Sequence, residues 1–154
     1  MDDKEFRSRL ISAIDNQDNP YHPLVWINGN PSIGEGTYIG GFSEVNAKGA
    51  TIHIGKNCDI ASFVAINVAD SHRRCIGLSS TVACRDIYIG DHVFIGSHSA
   101  VLGGVILGHH CVVAAGTIVR AGVIPPFSLV ANGVVKPRYY QSEFEDLYGR
   151  LPHD

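Results

Sequence analysis

Between residues 87 and 119 an aliphatic side chain returns at every sixth position: Ile89, Ile95, Val101, Leu107, Val113 and Val119. No helix tolerates that spacing, because six residues turn an α-helix through about 600° and leave successive aliphatic groups on different sides. An extended strand does tolerate it, since any even step returns to the same face. Two residues before many of these positions stands a small or β-branched residue, as with Ser99, Cys111 and Thr117, which fills the same face. A glycine often follows, as at Gly90, Gly96 and Gly108, where a bend needs a residue without a Cβ. Short strands alternating with bends wind into a parallel β-solenoid, its aliphatic positions stacked in ladders at about 4.8 Å.

The rhythm is longer than this stretch. It starts at Ile27, passes Ile33, Ile39 and Val45, slips by three residues, and resumes at Ile54, Ile60 and Ile66. Residues 1–154 are expected to form a single mainly β domain: a cap and lead-in over 1–26, the solenoid over 27–124, and a tail over 125–154. The segment 68–85 breaks the phase, is polar and mixed, and should leave the coil as a protruding loop. Phe6, Leu10 and Ile14, four apart, predict a short amphipathic helix over 4–16 that covers one end. Phe144 with Leu147 or Tyr148 predicts another beyond Pro125–Pro126.

Charge and cysteine content exclude several partners. A formal net charge of -3 offers no general attraction to nucleic acid or an acidic membrane. The start of the chain lacks the pattern of a secretory leader, and no apolar run is long enough to cross a bilayer, so a cytoplasmic protein is expected. Cys58, Cys75, Cys84 and Cys111 are widely spaced without a C-x-x-C pair. Cys58 and Cys111 fall on the inward phase and read as core filler.

The tandem [LIV]-G-x-x-[small]-x units over roughly 27–138 resemble the hexapeptide-repeat acyltransferases. The stretches "IGKNCDIASFVAINVADSH" and "IGDHVFIGSHSAVLGGVILGHHCVVAAGTIV" and the exit "IPPFSLVANGVVKP" are most similar to the galactoside, maltose and xenobiotic acetyltransferase branch. The resemblance implies a left-handed parallel β-helix with short N- and C-terminal helices, a homotrimer with intersubunit active sites, and acetyl-CoA as cosubstrate without a metal. The implied reaction is O- or N-acetylation of a small-molecule acceptor, a sugar or nucleotide-sugar. It aligns His72, where the coil breaks, with the branch's general base; His is the side chain best matched to proton transfer at neutral pH. Asp70 would orient that imidazole or line the acceptor site, and Asn46 would face the acceptor or the developing oxyanion. For the cosubstrate it implies main-chain bonds from Ser97, Ala115 and Gly116, Phe94 near the thioester, and Arg120, Lys136 and Arg138 toward the phosphates. The exit departs from the branch's usual A-G-x-P-A turn, reading Ala131-Asn132-Gly133 before Lys136.

Bland alternatives stand beside these. His72 and Asp70 also suit a solvated loop, Asn46 a turn, Phe94 a subunit contact, and the three cations a solvated surface. His92, His98, His109 and His110 occupy outward positions; His22, His53 and His153 have no motif around them. Two further classes share the fold: a γ-class carbonic anhydrase with intersubunit zinc, and a scaffold without catalysis. Against zinc, His98 is followed five residues later by Gly103, and adjacent His109 and His110 should point to opposite sides of a strand.

Overall fold

In the computed structural model, which describes residues 1–152, the chain forms about five coils of a three-sided parallel solenoid. His153 lies outside the described residues. The first face carries Trp26–Asn28, Glu44–Asn46, Ala65–Asn67, Ala100–Leu102 and Ile118–Val119. The second carries Ser32–Ile33, Ile52–Ile54, Ile87–Ile89, Val105–Leu107 and Gly122–Ile124. The third carries Tyr38–Ile39, Asp59–Ile60, Phe94–Ile95, Val112–Val113 and Leu129–Ala131.

Parallel pairing puts the hexad residues in register as three ladders. These are Ile27, Val45, Ile66, Val101 and Val119; Ile33, Ile54, Ile89, Leu107 and Ile124; and Ile39, Ile60, Ile95, Val113 and Val130. All but Ile33, at the open end of the second face, are buried. Each contributes roughly 1.5–3 kcal/mol through burial. Cys58 and Cys111 join this interior, as their phase requires. Burial pushes both thiols up, Cys111 to about 11.

The step from one ladder to the next is six residues at every corner but one. Between the first and second faces it is nine from Val45 to Ile54, twenty-three from Ile66 to Ile89, and five from Val119 to Ile124. The three-residue slip and the polar segment 68–85 therefore emerge at the same corner in successive coils. Cys84, at the return of that segment, puts its Sγ 3.7 Å from the Lys48 carbonyl of the slip. Thr51 donates its N–H to Asp86 Oδ1 at 2.7 Å.

The other two corners turn through the left-handed region, which Asn and His enter more readily than Phe does. Asn57, His92, His110 and Phe127 have φ of 52–62° at the second-to-third corner, and Phe42, Phe63 and His98 have φ of 61–64° at the third-to-first corner. Each phenylalanine there costs on the order of 1–2 kcal/mol, held in place because the coils above and below fix where the chain must turn. Gly96 meets a different demand, close approach: a Cβ there would lie 2.4 Å from the Ala115 nitrogen.

The ends depart from the sequence expectation. Helix α1 spans Asp3–Ala13, with Asp2 accepting the Glu5 N–H at 2.7 Å as its cap. Its buried residue is Ile11, while Phe6 is 58% exposed, so the inner face is the 7/10/11/14 stripe and not 6/10/14. The solenoid also continues past 124: Pro125 and Pro126 occupy a corner, and Val130 stacks on Val113 beyond them. It ends at Asn132 and Gly133, with φ of 51° and 75°, a two-residue hairpin turn that lays Val134–Lys136 antiparallel on Leu129–Ala131. That reversal, signalled by Asn-Gly between apolar pairs, starts no further parallel coil. Helix α2 (His72–Cys75) lies in the loop, and α3 (Gln141–Tyr148) closes the described chain, stopped by Gly149 at φ 70°.

Candidate active site

The excursion from the first-to-second corner has a narrow neck. Val68 is buried and pairs by its carbonyl with the Arg85 N–H, Ala69 pairs antiparallel with Cys84, and Asp70 pairs with Ala83. Beyond the neck stands His72, its side chain 66% exposed, with Nδ1 2.5 Å from Asp70 Oδ1. Asp70 also accepts the His72 backbone N–H at 3.2 Å. The hydrogen bond from the His72 side chain holds the Asp70 carboxyl below its ordinary value. A carboxylate partner keeps the proton of the neutral ring on Nδ1, which leaves the Nε2 lone pair outward as a base.

On the first face, at the root of this loop, Asn28, Asn46 and Asn67 stack in register. Asn46 Oδ1 accepts the Lys48 N–H at 3.1 Å, and Asn67 Oδ1 accepts the Ala69 N–H at 2.8 Å. Their amide nitrogens have no hydrogen-bond partner among the described residues, so two donors are left for a ligand. Sequence reasoning named Asn46 and missed Asn67. The register signals it, since Asn67 holds the same place after its ladder residue, one coil nearer His72.

Ser97, Ala115 and Gly116 meet at the third-to-first corner. Gly116 donates its N–H to the Ser97 carbonyl at 2.8 Å, so that N–H is spent inside the coil. The N–H groups of Ser97 and Ala115 meet no other backbone carbonyl among the described residues. Phe94 is 41% exposed on the adjoining third face. The cations do not gather here: Arg120 lies at the first-to-second corner, Lys136 sits on the returning strand with its Nζ 5.5 Å above the Tyr139 ring, and Arg138 borders His109 and Pro126. Within one chain the His72 loop and the Ser97 ledge flank opposite edges of the first face.

His109 and His110 also differ from expectation. They form a corner, not a strand, and their Nδ1 atoms are 2.9 Å apart. His110 packs against His92, Phe127 and Phe144, which ties α3 to the second-to-third corner. The cavity beside them, about 540 Å³, is lined by Tyr88, Asp91, His92, His109, His110 and Pro126 among others. No described helix is long and apolar enough to cross a membrane.

Comparison with known proteins agrees with this architecture. The family described as "Hexapeptide repeat of succinyl-transferase" matches residues 87–121. A 2,3,4,5-tetrahydropyridine-2,6-dicarboxylate N-succinyltransferase of Xylella fastidiosa is 31% identical over 115 residues, 66% of this chain and 37% of that protein. The chain thus spans little over a third of that relative's length. A hexapeptide-repeat acetyltransferase from Vibrio cholerae superposes with a TM-score of 0.60 at 25% identity, covering 86% of each chain. AntD, an N-acyltransferase from Bacillus cereus solved with dTDP-4-amino-4,6-dideoxyglucose and coenzyme A, gives a TM-score of 0.68 at 16% identity, over 86% of this chain and 77% of that one. By its repeat, its coils and these likenesses, the chain is a hexapeptide-repeat protein with the left-handed β-helix of the hexapeptide-repeat acyltransferases.

Proposed function

We propose that the chain transfers an acyl group from a CoA thioester to a hydroxyl or amine of a sugar or nucleotide-sugar, with His72 as general base. The observation that carries this is the Asp70–His72 pair, 2.5 Å apart, on the segment that leaves the coil. His72 Nε2 would take the proton as the acceptor oxygen or nitrogen attacks the thioester carbonyl, and would return it to the departing CoA thiolate. The amides of Asn46 and Asn67 would donate to the acceptor or to the oxyanion, and Phe94, Ser97 and Ala115 would line the pantetheine. Because loop and ledge flank opposite edges of the first face, a site containing both would need two copies of the chain. That requirement favours an oligomer with shared sites, a homotrimer by family likeness. The similarity to AntD, solved with a nucleotide-sugar and coenzyme A, supports the acceptor class. The N-succinyltransferase relative makes succinyl-CoA a second donor to test beside acetyl-CoA.

The test is a screen of acetyl-CoA and succinyl-CoA consumption against sugars, amino sugars and nucleotide-sugars, run beside His72→Ala. Turnover by the native chain, its loss in the variant and retained CoA binding are expected. An unchanged rate in the variant removes His72 from the role. Zinc in the purified protein with no CoA binding would favour the anhydrase class, and neither property a scaffold.

A further inference from the structure

The third-to-first corner carries a stack of rings. Phe42 lies on Phe63 with centroids 5.0 Å apart and planes 6° from parallel, and Phe63 lies on His98 at 4.8 Å and 10°. The spacing is that of the coils themselves, so the solenoid imposes the stack. All three rings are exposed to solvent. In the next coil the same position is Gly116, and in the last it is Gly133; a Cβ at either would meet nothing within 4 Å. His98 therefore has one ring face backed by Phe63 and the other turned toward a strip without side chains. The Ser97 and Ala115 N–H groups border that strip.

A surface of this kind suits a flat heteroaromatic ring. Every nucleobase has a π-face that stacks on an aromatic side chain regardless of its hydrogen-bonding edge. The Phe63 ring behind His98 holds the imidazole in place, which lowers the cost of ordering it on binding. We infer that the empty position above His98 is a nucleobase subsite, in which the ligand supplies the ring that the chain omits at Gly116. The inference rests on the proposed acyl transfer between nucleotide-bearing substrates. The base is then either the adenine of the CoA donor or the base of a nucleotide-sugar acceptor.

Calorimetric titration of the full chain distinguishes the sources. The probes are CoA, adenosine 3′,5′-bisphosphate, phosphopantetheine, and thymidine and uridine diphosphates. The variants are His98→Ala, which removes the platform, and Gly116→Phe, which fills the strip from within. Phe42 and Phe63 already hold φ of 64° and 61° at this corner, and Gly116 has 68°, so a phenylalanine there extends the stack without a new backbone conformation. One class of nucleotide should lose roughly tenfold or more in affinity in His98→Ala and all measurable binding in Gly116→Phe. Phosphopantetheine should bind His98→Ala as it binds the native chain. Loss confined to the adenine nucleotide and CoA assigns the subsite to the donor; loss confined to the diphosphates assigns it to the acceptor. Nucleotide binding indifferent to His98, with CoA still bound, would overturn the subsite and leave acyl transfer standing. A His98-dependent diphosphate in a chain that binds no CoA would do the reverse.

Discussion

The wall at 87–119 and the excursion at 69–84 are neighbours in the chain and opposites in construction. Along the wall every sixth residue is an aliphatic group buried to 1% exposure or less, and each belongs to a ladder running through the molecule. In the excursion no residue is buried, and the closest side-chain contact joins two polar groups, Asp70 and His72. Stability is thus concentrated in the wall's inner row, and the candidate base stands where little stability can be lost. This is the division expected of a rigid scaffold that presents a functional loop.

Mutation should separate the two regions cleanly. The largest effect is expected from His72→Ala: turnover should fall about 10²–10⁴-fold, while the thermal midpoint stays within a degree or so. Ile95→Ala in the wall should do the opposite, costing about 2–5 kcal/mol of stability in urea titration, with the turnover of the folded fraction retained. Asp70→Asn should be milder than loss of the imidazole, lowering the rate on the order of tenfold without weakening CoA binding. A comparable effect of Asp70→Asn on the melting temperature would show that the loop carries part of the fold, and would blur the contrast.

Acid sharpens the comparison from a third place, the corner that anchors α3. Burial, then the neighbouring His92 and His109 imidazoles, pushes His110 down from 6.5 to about 4. Above pH 6.5 the ring is neutral in both folded and unfolded chains, and its titration changes nothing. As pH falls from about 6.5 toward about 4, the unfolded chain takes the proton first, so stability declines through that window and the loss is complete below it. The ring is only half-buried, so solvent screening limits the loss to about 1 kcal/mol. His110→Phe, which copies its neighbour Phe127, should flatten the slope of melting temperature against pH in that range. The smallest expected effect is chemical: an alkylating reagent should modify exposed Cys75 in the native protein and leave buried Cys58 and Cys111 untouched.

The ladders were legible because a period of six admits one backbone, and each hexad residue lies where that period puts it. The corners were less so. Nothing in the local preference of Phe63 points to a left-handed backbone, and the mild tolerance of His for it does not single out His98 or His110; closure of the coil imposes it, which is why His109 and His110 read as strand residues and are instead a touching corner pair. The end of the solenoid was misplaced for a related reason. Pro125–Pro126 looks like a terminator, yet it sits in an ordinary six-residue corner between Ile124 and Val130, and the true stop is Asn132-Gly133. In the candidate site, the break in rhythm together with the resemblance pointed to His72 and to Asp70 beside it, while the register of Asn67 is a three-dimensional fact. Arg120, Lys136 and Arg138 share a charge and not a place, and charge is all that composition reports.

One edge of the prism absorbs every change in coil length, from a residue missing to seventeen inserted. That edge behaves as a seam: segments can be lengthened, shortened or exchanged along it while the three inner rows keep their partners. A transplanted loop would inherit a finished foundation, and selection for a new acceptor could proceed there without reopening the question of how the rest of the molecule folds.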